Sequence, residues 1–416
     1  MYTRMRLGFS FCICLALTTI LHAQDRTLDY YINYGLQNSP LLKEYANQVQ
    51  SNRIDSARIA AEYRPLVNGI STNSYAPVIN GYGYDGAITN YANFSELVSA
   101  SQQLVSKANL RNQFGSLRLQ SDSIRVLSRI SEQDLKKTIT AQFITAYGSW
   151  EQYVFNTDVY NLLSSEDTIL KKLTESTVYR QTDYLTFLVA LQQQKLSVMK
   201  ARNQFQNDFA TLNYESGLFD TAFTPLADPA LTLDNIIEPE NTVFYEKFRV
   251  DSLLLRNSDA QIEFSYKPKV NLYADAGYVS SFTYQAYKNF GTSFGINLSV
   301  PIYDGKQKKM LHTKVAIQEQ TRQNYRDYFK TQYDQQIAQL AQQLQLTEGL
   351  ITETTGQLKY VESLIQANRK LLSTGDARIA DYIIAINNYL NAKNIILQNT
   401  ISKLQIITQI NYWNKR

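Results

Sequence analysis

Thiols are almost missing from this chain: Cys12 and Cys14 are its two cysteines, and both sit near the N-terminus. Beyond them the chain can form no disulfide and no thiolate metal centre. Histidine is as scarce, with His22 and His312, so no second imidazole is left to pair with His312 in a usual zinc site. No cofactor and no metal are expected. Helix breakers are few as well: no proline falls between Pro77 and Pro225, or between Pro301 and the C-terminus. An excess of one charge is also lacking. The 41 basic residues face 37 acidic ones, and a net charge of +4 is too small and too dispersed for a nucleic-acid binder. Apart from its start, the chain has no long apolar run. That excludes a bundle of membrane-spanning helices, each of which needs about 20 apolar residues. It does not exclude a membrane β-barrel, whose strands need only alternate residues apolar.

The one apolar run is at the start. Arg4 and Arg6 precede Leu7–Leu21 and then His22-Ala23-Gln24, the pattern of a secretory signal over residues 1–23, cleaved near Ala23. Both cysteines leave with it, and none remains near the cleavage point to carry lipid. Losing Arg4 and Arg6 leaves 39 basic against 37 acidic residues, nearly neutral.

The remainder contains one unit twice. Tyr63-Arg64-Pro65-Leu66-Val67-Asn68 returns as Tyr266-Lys267-Pro268-Lys269-Val270-Asn271. Tyr91-Ala92-Asn93-Phe94 returns as Tyr287-Lys288-Asn289-Phe290. Arg180, Asp183, Tyr184, Lys195, Asn213 and Tyr214 return as Arg378, Asp381, Tyr382, Lys393, Asn411 and Tyr412, each 198 positions later. The matches are collinear, giving a first repeat at 24–217, a linker at 218–242 carrying Pro225, Pro229 and Pro239, and a second repeat at 243–416.

Each repeat reads as a helix, two strands and two long helices. In the first, a helix is expected over Leu28–Glu62, stopping before Pro65, then strands at about 66–79 and 92–105, then helical sequence from Leu104 to Gly217. In the second, strands are expected at about 268–283 and 288–302. From Phe290 the even positions are Phe290, Thr292, Phe294, Ile296, Leu298, Val300 and Ile302, while the odd ones are small or polar. This alternation gives one apolar face. Phe290, Phe294, Ile296, Leu298 and Val300 are the candidate lipid-facing residues, and Val270, Leu272, Ala274, Ala276 and Tyr278 supply the neighbouring strand. An ordinary sheet packed on helices would show the same alternation. The first hairpin is weaker, because Val98, Ala100 and Leu104 share their face with Glu96 and Gln102.

The helices must be long. Ile337, Leu340, Leu344, Thr347, Ile351, Thr354, Leu358, Val361, Ile365, Asn368 and Leu372 alternate spacings of three and four, a heptad seam with polar interruptions. It stops at Ser373-Thr374-Gly375-Asp376-Ala377-Arg378, and helical sequence resumes at Ile379. The matching break in the first repeat is Ser176-Thr177-Val178-Tyr179-Arg180. Each repeat therefore carries a long helical hairpin with its tip far from the strands.

Four strands cannot close a transmembrane barrel, and an open edge in lipid leaves backbone groups unpaired at several kcal/mol each. Three copies supply twelve strands and can close. With these elements in this order, the sequence resembles the TolC-type outer-membrane efflux proteins. The likeness rests on the duplication, the signal peptide, Val300-Pro301-Ile302-Tyr303-Asp304-Gly305 after the last strand, Gly375 followed by Asp381-Tyr382-Ile383, and Asn391-Ala392-Lys393. The resemblance implies a mostly α chain with a transmembrane β-barrel portion: a homotrimer whose twelve-stranded barrel in the outer membrane continues into a periplasmic α-helical barrel. It implies a Gram-negative outer-membrane location and passive export of small molecules or proteins. The implied partners are a periplasmic adaptor (membrane-fusion) protein, an inner-membrane RND or ABC transporter, and outer-membrane lipid. It also implies a periplasmic gate near the hairpin tips, where this chain has Arg180, Asp183, Asp376, Arg378 and Asp381. The same aspartates suit the starts of the resuming helices without any gate.

Two further motifs carry less. Gly81-Tyr82-Gly83-Tyr84-Asp85-Gly86 matches a dinucleotide-binding pattern, but that pattern must open a helix; here it is read as an outward hairpin loop leading into a strand. Lys306, Lys308 and Lys309 follow the last strand, at the membrane surface or at an ordinary solvated helix start. A non-enzymatic exit duct is the reading these residues support, and an exported helical scaffold or adhesin without a pore is the alternative.

Overall fold

The computed structural model describes residues 26–89, 92–282 and 285–416. The expected signal segment 1–23, with Cys12 and Cys14, lies outside the described residues. The chain is mostly helical, 71%, with one small sheet.

Among the described residues, eight helices and four strands follow the repeated order of helix, two strands and two long helices, with α1 and the single-turn α3 found in the first repeat. Helix α1 is Leu28–Asn38 and α2 is Pro40–Glu62. The single helix expected over Leu28–Glu62 is therefore two. Pro40 cannot donate to the preceding turn, and the Ser39 hydroxyl accepts from the Leu42 amide to start a new helix. Strand β1 is Leu66–Tyr75, α3 is the single turn Gly86–Thr89, and β2 is Ala92–Leu104. Then come α4, Lys107–Glu175, and α5, Gln181–Ser216. The second repeat follows with α6 (Val243–Ser265), β3 (Lys269–Ser280), β4 (Phe290–Ser299), α7 (Gln307–Thr374) and α8 (Ile379–Trp413). Counterparts match in length: α2 and α6 have 23 residues each, α4 and α7 have 69 and 68, α5 and α8 have 36 and 35. At 1.5 Å per residue, α4 and α7 each run about 100 Å. Among the described residues, no helix is long and apolar enough to cross a membrane.

The strands are shorter than the sequence ranges. β1 ends at Tyr75, two residues before Pro77, and β4 ends at Ser299, two before Pro301; a proline brings no amide to the ladder. Helix α4 begins at Lys107 rather than Leu104, because the Ser106 hydroxyl accepts from the Asn109 amide and caps it there.

The sheet is a simple antiparallel meander, β1-β2-β3-β4, so β1 and β4 are both open edges. The helices that enter and leave the strands keep the same order: α2 packs on α4, α4 on α6, and α6 on α7. Farther from the sheet α4 pairs with α5, α7 with α8, and α4 with α8. α4 and α8 thus lie in the middle of the chain's wall, with α5 and α7 at its flanks. The heptad seam on α7 is real: Ile337, Leu340, Thr354, Leu358, Val361, Ile365 and Leu372 are buried and the other seam positions half-buried. Near the tip, Leu163 and Leu170, Phe187 and Leu191, Ile365 and Leu372, and Tyr382 and Ile386 make one four-helix core. Burying such side chains contributes about 1.5–3 kcal/mol each.

Between the repeats, residues 218–242 have no regular structure until a 3-10 turn at Pro239–Asn241. This strap is tied to both repeats by corresponding residues. Asn213 donates to the Asp220 carbonyl at 2.9 Å, and Asn411 donates to the Thr232 carbonyl at 2.7 Å. The asparagine recurring at the end of each long hairpin therefore anchors the strap twice.

Candidate functional site

Register decides which side chains share a face of the sheet. Ala274 lies opposite Phe294, Leu272 opposite Ile296, Val270 opposite Leu298, and Tyr278 opposite Phe290. On the other side Ala276 faces Val98, Ala274 faces Ala100, and Leu104 faces Val270. Val67 and Gly69 complete the face on β1. The face is apolar over most of its middle, broken by Thr292 beside Ala276 and by Gln102 beside Leu272, and no helix among the described residues covers it: Phe294 is 89% and Ile296 72% exposed.

The polar interruptions of the first hairpin fall toward the ends of that face. Glu96 accepts from the Ser71 hydroxyl and the Asn73 amide, each at 2.8 Å. Its row also holds Tyr278 and Phe290, next to the loop end, where Phe94 stacks on Phe282. At the helical end Gln102 donates to the Tyr63 carbonyl. Glu96 thus lies toward the loop end, whereas Gln102 sits one row inside Leu104, Val270 and Leu298.

The opposite face is mainly polar, with Asn271, Asp275, Ser293, Asn297 and Ser299 on β3 and β4, and Ser95, Ser99 and Ser101 on β2, interrupted by Ile70, Leu97 and Val279. Tyr273 lies across Gly295, where a Cβ would sit 2.5 Å from the phenol oxygen. Gly277 opposes Leu97 so closely that a Cβ there would enter the β2 backbone. Two small residues thus let a tightly coiled sheet carry large neighbours on this side.

The far end of the chain is the paired helical tip. Gly375 ends α7 at φ +85°, and the matching turn uses Thr177 at φ +62°. Arg180 and Arg378 stand just ahead of α5 and α8, with Asp183 and Asp381 in the first turns. Arg378 forks onto Asp381, with N–O distances of 2.8 and 3.0 Å, and this contact holds its guanidinium more firmly charged. Asp376 accepts from the Thr374 hydroxyl at 2.6 Å. Arg180 and Asp183 are exposed and, among the described residues, form no ion pair. The structure therefore brings Arg378 and Asp381 together and leaves Arg180 and Asp183 apart from the charges of the second repeat.

Other residues join the two tips. The Tyr179 hydroxyl reaches the carbonyls of Leu372 and Ala377, each at 2.9 Å. Burial, then the nearby Asp376 carboxylate, pushes its pKa up. Glu166 on α4 is 2% exposed and takes the Arg369 Nε of α7 at 2.6 Å. Tyr382 is buried beside them with an unpartnered hydroxyl, its pKa pushed up to about 12 by burial and then by Glu166. The sequence held one signal for Tyr179: at the 198-residue offset its counterpart is Ala377, whose carbonyl it meets. Glu166 has no such marker.

Two remaining expectations can be placed. In the Gly81–Gly86 loop Gly81 has φ +82°, Ile79 and Tyr82 bridge, and the Asp85 carboxylate accepts from Ala87 ahead of the single-turn α3. His312, on α7, lies between Asp259 (2.6 Å) and Glu263 (3.0 Å) of α6. Hydrogen bonding to Asp259, then to Glu263, pushes its pKa up.

No protein-family model matches the sequence, and no curated protein matches it. Solved structures match its fold. CusC, described through conformational changes accompanying folding and transmembrane channel formation, has a TM-score of 0.77 at 13% identity over 94% of this chain and 93% of that one. The outer membrane protein VceC of Vibrio cholerae gives 0.73 at 13% identity over 93% and 96%. The open-state MtrE outer membrane channel of Neisseria gonorrhoeae gives 0.74 at 10% identity over 94% and 89%. The chain has the fold of the TolC-type outer-membrane efflux channels, along nearly its whole length.

Proposed function

We propose that the chain is a passive outer-membrane exit duct, one third of a homotrimer whose twelve strands close in lipid and whose rods continue the channel into the periplasm of a Gram-negative cell. The observation that carries this reading is the agreement between the chain's two lateral edges. One edge ends in β1, α2 and α5; the other ends in β4 and α7. Among the described residues both end strands lack a partner, and α5 and α7 each carry an exposed apolar stripe at heptad spacing. On α5 it is Leu185, Val189, Leu196 and Met199; on α7 it is Leu346, Leu350, Tyr360, Leu364 and Leu371. Edges that differ from each other but both present apolar stripes suit head-to-tail association around a closed ring.

In this duct Phe290, Phe294, Ile296, Leu298 and Val300 face lipid, and the polar face of the sheet lines the pore. The chain does no chemistry; energy comes from an inner-membrane RND or ABC transporter coupled through a periplasmic adaptor protein. The cargo is small molecules or protein. The tip residues Arg180, Asp183, Asp376, Arg378 and Asp381 form the gate around the axis, with Tyr179 and the Glu166–Arg369 pair holding the two hairpins of one subunit together. Exposure of Phe294 and Ile296 counts against the scaffold or adhesin alternative, in which the strands would pack beneath the chain's own rods.

Membrane fractionation tests the reading. The protein should stay in the outer-membrane pellet after salt and carbonate washes and leave detergent extraction as a trimer. A monomer released by carbonate ends the proposal. The gate has its own test: Arg378→Ala should raise closed-state conductance in a planar bilayer, and unchanged conductance removes these residues from the gate.

A further inference from the structure

The two ends of the sheet differ in charge. The loops at one end, residues 76–91 and 281–289, contain Asp85 and Lys288 as their charged residues. At the other end every strand–helix junction is basic: Arg64 before β1, Lys107 and Arg111 after β2, Lys267 before β3, and Lys306 and Lys309 after β4. All six are exposed, and among the described residues none pairs with a carboxylate. The carboxylates nearby are mostly taken. Glu263 is held by Lys308 at 2.9 Å and by His312, while Asp304 accepts from the backbone amides of Lys306 and Lys308 at 2.9 and 2.7 Å. Glu62 is left. The duplicated Tyr-Arg-Pro and Tyr-Lys-Pro segments keep a cation in both repeats although the residue itself changes.

The collar also follows directly on the apolar band. Along the chain after β4 come Val300 and Ile302, the latter 95% exposed, then Tyr303 at 84%, then Lys306 and Lys309. Aliphatic, then amphipathic aromatic, then cation is the order met on leaving a bilayer through its headgroups. Long Lys and Arg stems let the charge reach the headgroup phosphates while the methylenes stay against apolar surface.

Resting on the membrane-barrel reading above, we propose that these six cations form an anionic-phospholipid-binding collar in the leaflet on the helical side, engaging phosphatidylglycerol-type headgroups. The loop end, with one charge of each sign, has no such preference. The collar fixes the depth and tilt of the sheet in the membrane.

The test uses purified full-length protein in nanodiscs of equimolar phosphatidylglycerol and phosphatidylethanolamine, with co-retained lipid read by native mass spectrometry. Phosphatidylglycerol should be enriched around the wild type, and the enrichment should fall as salt is raised. The triple variant K107Q/K306Q/K309Q should lose about tenfold or more of the preference, since each basic residue near a charged surface contributes about fivefold. K107R/K306R/K309R should keep it, which separates charge from folding. No preference in the wild type, or an unchanged preference in the glutamine variant, overturns the collar while leaving the barrel standing. Failure to enter nanodiscs at all overturns the barrel and the collar together.

Discussion

The two repeats build the same elements from the same pattern, yet they solve two local problems differently. In the second, the face of β4 is apolar at nearly every alternate position from Phe290 onward; in the first, Glu96, Ser71 and Asn73 interrupt the face and hydrogen-bond to one another. At the tips, the second hairpin turns on Gly375 and the first on Thr177. A duplicated fold thus tolerates change where position along the sheet, or a neighbouring partner, supplies what the residue lacks.

The sharpest break in this comparison comes from charge at different depths. Phe294→Lys places an ammonium in the middle of the apolar face, opposite Ala274. If that face meets lipid, the substitution destabilises the barrel by about 2–4 kcal/mol, and folded trimer in the outer membrane should fall to a small fraction of wild type. Glu96→Lys changes charge at the loop end and should cost no more than about 1 kcal/mol. Heat-modifiability on gels in native lipid reads both; equal effects would mean that depth is not what distinguishes them.

The second prediction concerns the joint between repeats. Arg369→Ala leaves Glu166, 2% exposed, with no counter-charge. Breaking a buried pair costs about 3–5 kcal/mol, but Arg369 is itself 44% exposed, so water screens part of the loss. A destabilisation of about 2 kcal/mol local to the tip is expected, seen as faster amide exchange in 160–190 and 365–390. Arg369→Ala with Glu166→Gln should recover most of it. No recovery would mean that the methylene packing of Arg369 matters more than its charge.

The turns themselves come next. A Cβ on Gly375 would lie 2.7 Å from the Val178 methyl, and φ is +85°. Gly375→Ala should therefore destabilise the tip by about 1–2 kcal/mol. Thr177 already holds φ +62° without being glycine, so Thr177→Gly should stabilise it by about 0.5–1 kcal/mol. Opposite signs in thermal melts are the expected result; the same sign at both turns would deny that the two tips handle backbone strain differently.

Much of this was legible in the sequence because it is local. The Ile337–Leu372 seam repeats every seven residues and needs no knowledge of its partner, and the alternation of β4 is a property of consecutive residues. The Ser39–Pro40 break is just as local, yet the expectation of one helix over Leu28–Glu62 passed over it. What could not be read depends on pairing across the chain. Glu96 looked like an error on an apolar face until register put Ser71 opposite it and Asn73 diagonal to it. Glu166 and Arg369 meet from helices 203 positions apart. The apolar stripe on α5 has its match only across the chain, on α7 at the opposite edge.

The smallest expected effect distinguishes α6–α7 from its first-repeat counterpart, α2–α4, by pH. His312 hydrogen-bonds Asp259 and Glu263 of α6, with Lys308 on the same Glu263. Its pKa is raised, so the protonated imidazole favours the folded pairing. That contribution is complete below the unfolded value near 6.5 and is lost as pH climbs through the raised folded value. Farther along the same pair of helices Glu319 is held down to about 2, chiefly by Arg322 and then by Gln323 and Ser252. Its contribution is present above the ordinary carboxylate value and disappears as pH falls toward 2. Amide exchange along α6 should therefore be slowest between these limits, at mildly acidic pH, once the intrinsic pH dependence is removed. His312→Gln should abolish the alkaline limb and leave the acid limb in place, whereas α2, which has no histidine opposite it, should show no alkaline limb in either protein.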